Sequence, residues 1–209
     1  MRKDLIMNLC VLILMTATGI CYQVGGEKKW FSKRTLLFFK GLTTLLASAL
    51  AVYAYTQTGQ TYALILAIGI AVCALADVML EINFLAGMGV FAAGHVIYII
   101  SFWMRNPPRL PSLFLFLALL ALVTFVRQRV RKRVDFSTLP HFAYALLISS
   151  MVSVAMAQPV LTFIGAVLFV VSDGIIARRL IFPDKNPWDR ACILLYYSAQ
   201  FLLAASLLP

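Results

Sequence analysis

Five ionisable side chains lie within or at the ends of long apolar segments, namely Lys40, Asp77, Glu81, His95 and Asp173. An ionisable group inside a membrane-spanning helix is energetically costly, so each one requires a partner or a function. Asp77 and Glu81 are four residues apart and therefore share one face of a helix. Carboxyl groups near an imidazole can donate and accept protons without a metal ion, so these residue types predict acid–base chemistry.

The five groups share a depth along the predicted spans. Lys40 lies near the start of a span that enters from the side carrying most of the basic residues, and Glu81 lies at the end of a span on that side. Asp77 and Asp173 each lie within about a turn of the same end of their spans, and His95 is near the middle of its own. A single polar cavity that opens on the basic side would explain this shared depth.

Other polar side chains accompany these groups. They are Asn83 at the basic-side turn, Tyr98 one turn after His95, Ser172 directly before Asp173, and Tyr196, Tyr197 and Gln200 in the last span. Structural alternatives stay open, because Lys40 could extend its amine to the interface and an ion pair between Lys40 and Asp77 could serve packing alone. Glu81 could be solvated and His95 could join two helices. Two aspartates at one depth nevertheless favour a functional site.

A metal site is weakly indicated. The two histidines are His95 and His141, the latter at the outer end of the sixth predicted span, and no HxxxH or HExxH pattern occurs. Two carboxylates and an imidazole could bind a metal, but acid–base chemistry needs no ion, so we predict no metal and no cofactor.

The four cysteines fall in apolar segments without a CxxC pair, which predicts buried, reduced thiols at Cys10, Cys21, Cys73 and Cys192.

The composition is that of an integral membrane protein. Of the 209 residues, 62% are hydrophobic and 12% are charged. Soluble domains have roughly 45–50% apolar and about 25% charged residues. The apolar segments are evenly spread, which predicts a single membrane domain over residues 1–209.

The net charge of +10 does not indicate nucleic-acid binding. The basic residues lie in loops between apolar segments, whereas a nucleic-acid interface would need them gathered on a folded soluble surface. Attraction to anionic lipid headgroups is a secondary effect of these charges.

We predict an all-α, polytopic membrane bundle of about eight transmembrane helices. The spans are predicted at residues 5–24, 35–55, 62–80, 84–103, 113–126, 142–157, 161–177 and 188–208. Prolines in the segments 105–111 and 158–159 mark breaks, because proline cannot continue a helix. The N-terminal apolar run resembles a signal peptide, but it has no small-residue cleavage site and is interpreted as the first span.

The distribution of lysine and arginine predicts the orientation. Eight spans place both termini on one side, together with Arg2, Lys3, Arg105 and Arg109. The other side carries Lys28, Lys29, Lys33, Arg34, Arg127, Arg129, Arg131, Lys132, Arg133, Arg178, Arg179, Lys185 and Arg190. The positive-inside rule then predicts a multi-pass protein of the cell membrane with cytoplasmic basic loops and both termini outside.

A short internal match predicts a duplication. Ile68-Gly69 is followed after seven residues by Asp77, and Ile164-Gly165 is followed after seven residues by Asp173. The two aspartates lie four spans apart, so the halves 1–104 and 105–209 would have the same orientation. Parallel repeats of this kind are known in membrane proteins.

Five segments in fixed order resemble a known family. They are Phe39-Lys40-Gly41-Leu42-Thr43, Ala76-Asp77-Val78-Met79-Leu80, Gly94-His95-Val96-Ile97-Tyr98, the segment 163–173, and Tyr196-Tyr197-Ser198-Ala199-Gln200-Phe201-Leu202. In these segments, from the second span to the end, the chain resembles the YhhN-type lysoplasmalogenase family. It departs from the family pattern at Gly41, where proline is usual, at Ala76, where glycine is usual, and at Ala199-Gln200, where Gly-His is common. Both aspartates are present.

The resemblance implies hydrolysis of the vinyl ether bond of a lysoplasmalogen, an alkenyl lysophospholipid. The products would be a fatty aldehyde and a glycerophospho-alcohol. Two carboxyl groups in one low-dielectric site do not both ionise, so Asp77 and Asp173 would supply one proton donor and one carboxylate. His95 and Tyr98 would orient water or the glycerol oxygens, and Lys40 would hold the phosphate or tune an aspartate. Supporting roles are predicted for Glu81, Ser172, Tyr197 and Gln200.

Two other functions remain compatible with these residues. Parallel repeats and intramembrane acids also occur in carriers, so a transporter or lipid-binding protein without catalysis is the main alternative. A structural membrane protein whose acids only pair helices is the other.

Overall fold

The computed structural model describes residues 2–130, 139–182 and 189–208. Within these ranges every regular element is an α-helix, so the prediction of an all-α bundle is confirmed. The helices are α1 Arg2–Glu27, α2 Lys33–Thr58, α3 Thr61–Leu80, α4 Phe84–Arg105, α5 Leu110–Val130, α6 Leu139–Ala155, α7 Val160–Ile181 and α8 Asp189–Ala205.

Six of these helices are long and apolar enough to cross a bilayer, and α6 and α8 are apolar helices of 17 residues each. The chain is therefore a polytopic integral membrane protein. Trp188, predicted to begin the eighth span, lies outside the described residues, as do four of the cations counted for the orientation: Arg131, Lys132, Arg133 and Lys185.

Four predicted spans are several residues shorter than their helices, namely α1 (predicted over residues 5–24), α2 (35–55), α5 and α7. The eighth span was predicted to end at residue 208, but α8 ends at Ala205. Helix α5 was predicted over residues 113–126 and α7 over 161–177, but both helices continue into basic residues at their C-termini. Arginine near a helix C-terminus interacts favourably with the helix dipole and extends its charge to the interface, so polarity does not end the helix. Conversely, α6 ends at Ala155 rather than at residue 157, because a turn precedes Gln158-Pro159.

Local capping fixes the tight connections around α3. Gly59, at φ 66°, ends α2 and donates its N–H to the Tyr55 carbonyl. A left-handed conformation of this kind favours glycine. Asn83 accepts a hydrogen bond on Oδ1 from the Ala86 N–H at 3.0 Å and thereby begins α4 directly after α3. Helices α2, α3 and α4 therefore run antiparallel and pack in sequence order.

Small residues allow close packing within two helix pairs. A Cβ on Gly69 would come within 2.7 Å of the Tyr98 ring on α4, and one on Gly165 would come within 3.1 Å of the Ala199 carbonyl on α8. Such positions let the backbones of membrane helices approach. Helix α4 also packs on α6, and α8 packs on α2, so helices of the two halves of the chain contact each other.

None of the four cysteines forms a disulfide, and Cys73 and Cys192 are buried as predicted. The prediction of burial is wrong for Cys10, which is exposed, and Cys21 is half-buried. Both lie on α1, a helix at the periphery of the bundle that buries few of its residues.

Candidate active site

A cavity of about 350 Å³ lies at the basic-side ends of the helices and contains both aspartates in its lining. Most of its wall is apolar and comes from α4 to α8, with Met88, Leu122 and Ile148 as examples. Its polar or charged side chains are Lys40, Asp77, Arg127, His141, Tyr144, Ser149, Ser172, Asp173 and Tyr196. The cavity thus joins acids from α3 and α7 in one largely apolar space.

Asp77 is 2% exposed and is held by two hydroxyl groups. Its Oδ2 accepts a hydrogen bond from Thr44 Oγ1 on α2 at 2.6 Å and from the Tyr196 hydroxyl on α8 at 2.9 Å. A buried carboxyl group with two hydroxyl donors is fixed in orientation, and its anionic form is stabilised by both bonds.

Asp173 is half-buried and is held by one hydroxyl group. Its Oδ2 accepts a hydrogen bond at 2.7 Å from Tyr144 on α6. Within the described residues, the hydrogen bonds from side chains fall on Oδ2 of each aspartate. The second oxygen of each carboxyl group therefore carries none of them.

Lys40 pairs with Glu81 rather than with Asp77. The distance from Lys40 Nζ to Glu81 Oε1 is 2.8 Å, and Glu81 directly follows α3. Burial raises the pKa of Glu81, but the hydrogen bond and the charge of Lys40 outweigh this effect and hold the pKa below its usual value. The alternative of an Asp77–Lys40 ion pair is therefore wrong, because Glu81 lies one turn further along the chain and takes the ammonium group.

His95, Tyr98 and Gln200 are fully buried beside the cavity and do not line it. The Tyr98 hydroxyl donates to Gln200 Oε1 at 2.7 Å, and His95 Nδ1 lies 2.7 Å from the Phe91 carbonyl. Neither His95 Nε2 nor Gln200 Nε2 has a hydrogen-bond partner among the described residues. These three predicted site residues form a polar cluster in the core, separated from the two aspartates by aromatic rings.

The His95 ring contacts the ring of Tyr144, with centroids 5.7 Å apart at an interplanar angle of 84°. Because Tyr144 donates to Asp173, this contact connects His95 to the cavity through one intervening side chain.

Ser172 and Tyr197 occupy different positions relative to the cavity. Ser172 lines the cavity and donates a hydrogen bond to the Cys192 carbonyl at 3.0 Å, which links α7 to α8. Tyr197 points away, with its hydroxyl 3.4 Å from the Lys40 carbonyl oxygen and its ring against Gly19. Its neighbour Tyr196 contacts Asp77 instead.

A sequence model of the YhhN family matches residues 35–207. The chain belongs to the YhhN family. It is also 32% identical over 126 residues to a human protein named lysoplasmalogenase TMEM86B, and this alignment covers 60% of the chain and 54% of that protein. The chain thus matches about half the length of this relative. No solved structure matches it.

Family membership confirms the resemblance inferred from the five segments.

Four further residues of this YhhN protein belong to the candidate site in its structure. Thr44, Arg127, His141 and Tyr144 all line the cavity or bind an aspartate, and none of them was predicted to belong to the site. His141 lies at the cavity end of α6, so its predicted position at the outer end of that span is wrong. The proposed duplication could have pointed to two of these four residues. Thr44 on α2 and Tyr144 on α6 lie on the second helix of each half and donate to the aspartate of that half.

No group of three His, Cys, Asp or Glu side chains within the described ranges of this YhhN protein could hold a metal ion. What the arrangement provides is two hydrogen-bonded carboxyl groups in an apolar space, which is suited to proton transfer and to stabilising a positive charge.

Proposed function

We propose that this protein hydrolyses the vinyl ether bond of lysoplasmalogens by acid–base chemistry at Asp77 and Asp173. The observation that carries this proposal is the shared cavity, in which the two carboxyl groups face a largely apolar space. Membership of the YhhN family and the name of the human relative, lysoplasmalogenase, support the same reaction.

The reaction needs one acid and one carboxylate. The acid protonates the alkenyl carbon remote from the ether oxygen, which leaves an oxocarbenium ion. Water adds to this ion and gives one proton to the acid that was deprotonated in the first step. The hemiacetal then collapses, with its hydroxyl proton transferred to the departing glycerol oxygen, to a fatty aldehyde and a glycerophospho-alcohol. One water molecule is consumed and both carboxyl groups return to their starting states.

The hydrogen bonds favour one assignment of these roles. Asp77 accepts two hydroxyl hydrogen bonds and Asp173 accepts one. Because each such bond stabilises the carboxylate form, we assign the carboxylate to Asp77 and the proton donor to Asp173. Asp77 then stabilises the oxocarbenium ion from a fixed position.

The apolar wall suits a substrate with one hydrocarbon chain. Side chains of α4, α5 and α7 surround the carboxyl groups with hydrocarbon. The lipid tail lies among these helices while its polar part remains at the basic-side end, near the headgroup region of the bilayer.

The test is aldehyde release by the purified protein from an alkenyl lysophospholipid, with the alkyl ether analogue as control. We expect aldehyde and glycerophospho-alcohol in equal amounts from the alkenyl lipid and none from the alkyl lipid, which has no double bond to protonate. Failure to release aldehyde from any lysoplasmalogen would overturn the proposal. Movement of intact lipid across proteoliposomes without cleavage would support a transporter instead.

The same reaction in heavy water tests the chemistry. Protonation of the remote alkenyl carbon should place one deuterium on the carbon next to the aldehyde group, which mass spectrometry of the product detects. Aldehyde without this deuterium would exclude a step that begins with carbon protonation.

A further inference from the structure

One cation at the cavity has no part in the proposed reaction. Arg127, in the last turn of α5, lines the cavity together with both aspartates. Its guanidinium group lies 4.5 Å from the centroid of the Phe142 ring on α6. Within the described residues it forms no ion pair, so no described carboxylate compensates its charge.

Lys40 differs from Arg127 in this respect. Its ammonium group is 2.8 Å from Glu81 Oε1, so its charge is compensated within the protein. A phosphate would have to displace Glu81 from Lys40, whereas Arg127 can accept an anion without breaking an ion pair to any described residue.

The surroundings of Arg127 also favour an anion. The N-terminal end of α6, where Phe142 lies, carries the positive end of the helix dipole. A guanidinium group binds phosphate through two parallel hydrogen bonds, and its position over the Phe142 ring restricts its movement before binding.

From these observations we infer that Arg127 binds the phosphate of the one-chain lysophospholipid whose vinyl ether lies at Asp77 and Asp173. This inference rests on the proposed function for the identity of the substrate. The headgroup site itself is separate from the reacting atoms.

The first test compares substrates with and without phosphate. For the alkenyl lysophospholipid, Arg127→Gln should raise KM roughly 10- to 100-fold, the range expected for a lost charge-assisted hydrogen bond, with a smaller change in kcat. For 1-alkenylglycerol, which has no phosphate, Arg127→Gln should change neither constant. Arg127→Lys should lie between the wild type and Arg127→Gln for the phospholipid, because it keeps the charge and loses the paired geometry.

Arg129→Gln is the matched control. Arg129 lies on the same turn of α5 and stacks over an aromatic ring, Phe125, at 5.2 Å, but it does not line the cavity. Its substitution should leave both substrates unaffected. An unchanged KM for the phospholipid in Arg127→Gln, or equal effects of Arg127→Gln on both substrates, would overturn the inference and leave the proposed function standing.

A binding measurement separates this inference from catalysis. The alkyl ether lysophospholipid cannot be hydrolysed, and its Kd should rise by the same factor in Arg127→Gln and stay constant in Arg129→Gln. If this holds while no aldehyde forms from any lysoplasmalogen, the headgroup site stands and the proposed reaction falls. If inorganic phosphate competes at concentrations as low as the lipid, the site takes free phosphate, which would overturn the assignment to a lipid headgroup.

Discussion

At the residue scale, each aspartate owes its orientation to hydroxyl groups from neighbouring helices. Tyr144 on α6 donates to Asp173, while Thr44 on α2 and Tyr196 on α8 donate to Asp77. These hydroxyl groups also stabilise the negative charge of a carboxylate, which forms when the acid gives up its proton.

Tyr144→Phe should therefore lower kcat for aldehyde release roughly 10- to 100-fold while KM and thermal stability change little. The reason is the loss of one hydrogen bond to a charged group, about 1.5–3 kcal/mol, at the point where Asp173 becomes anionic. Tyr53→Phe is the control, since Tyr53 also donates to an aspartate, Asp4, but at the other end of the bundle. Equal kcat values for Tyr144→Phe and the wild type would contradict the role given to this bond.

The sequence predicts how deep a side chain lies in the bundle, but not which neighbouring helix it faces. The depth of Asp77 and Asp173 follows from their distance to the ends of apolar segments. Whether Tyr196 or its neighbour Tyr197 faces Asp77 depends on how α8 is rotated against α2 and α3, and adjacent residues point about 100° apart on a helix. The same reasoning explains why His95 and Gln200, at suitable depths, lie in the core rather than in the cavity.

At the element scale, two glycines on α4 differ in the space around them. A Cβ on Gly87 would come within 2.5 Å of the Leu80 backbone nitrogen at the end of α3, whereas one on Gly89 would meet no atom within 4 Å. The junction of α3 and α4 positions the end of α3, which carries Asp77 and is followed by Glu81.

Gly87→Ala should lower the free energy of unfolding by about 1–3 kcal/mol, because backbone atoms of α3 must move to admit the methyl group. Gly89→Ala should leave it unchanged or raise it by up to about 1 kcal/mol through higher helix propensity. Unfolding in detergent, followed by circular dichroism, measures both. Equal stability of the two variants would contradict the close packing of α4 on α3 at Gly87.

Helix α7 offers a way to fill the cavity without disturbing the fold. Gly174 lines the cavity next to Asp173, and a Cβ there would meet no atom within 4 Å. Gly174→Leu should place a hydrocarbon side chain where the substrate binds and reduce kcat/KM for aldehyde release at least tenfold, while the protein stays folded. Gly89→Leu adds the same side chain outside the cavity and should leave kcat/KM unchanged. Full activity of Gly174→Leu would exclude this cavity as the substrate site.

At the scale of the whole molecule, the packing of the helices supports the duplication proposed from the sequence. Helix α4 contacts α6 as α8 contacts α2, which is the pattern that two parallel four-helix halves would produce. Gly69 and Gly165, the matched glycines, each lie where their helix meets the next one in the chain. We propose that residues 1–104 and 105–209 are two such halves and that each contributes one aspartate to the cavity.

The orientation in the membrane is a separate prediction at this scale. With the native cysteines replaced, Gln60→Cys in the α2–α3 turn should react with a membrane-impermeant maleimide added to intact cells. Lys28→Cys in the α1–α2 loop should react only after the cells are opened, because its side carries most of the lysine and arginine. The reverse pattern would place the cavity at the outer face of the membrane.

Composition and apolar patterning were sufficient to predict the all-α membrane bundle, because a bilayer requires long apolar helices. They also predicted that one cavity contains both aspartates, and both line one cavity in the structure. A cavity on the basic side was predicted as polar, but its wall is mostly apolar. The wall could not be predicted, since it consists of ordinary residues such as Leu122 and Ile148 that resemble any others in a membrane helix. Their role follows only from the arrangement of α4 to α8 around the cavity.

The central claim is that Asp77 and Asp173 act together on a vinyl ether. The most direct measurement is the rate of aldehyde release from an alkenyl lysophospholipid by Asp77→Asn, Asp173→Asn and the double variant, each confirmed as folded, with Asp4→Asn as the control acid at the opposite end of the bundle. We predict that each single variant loses about 10²–10⁴-fold in kcat, that the double variant loses little more, and that Asp4→Asn retains full activity. Near-normal kcat in either single variant would contradict the claim.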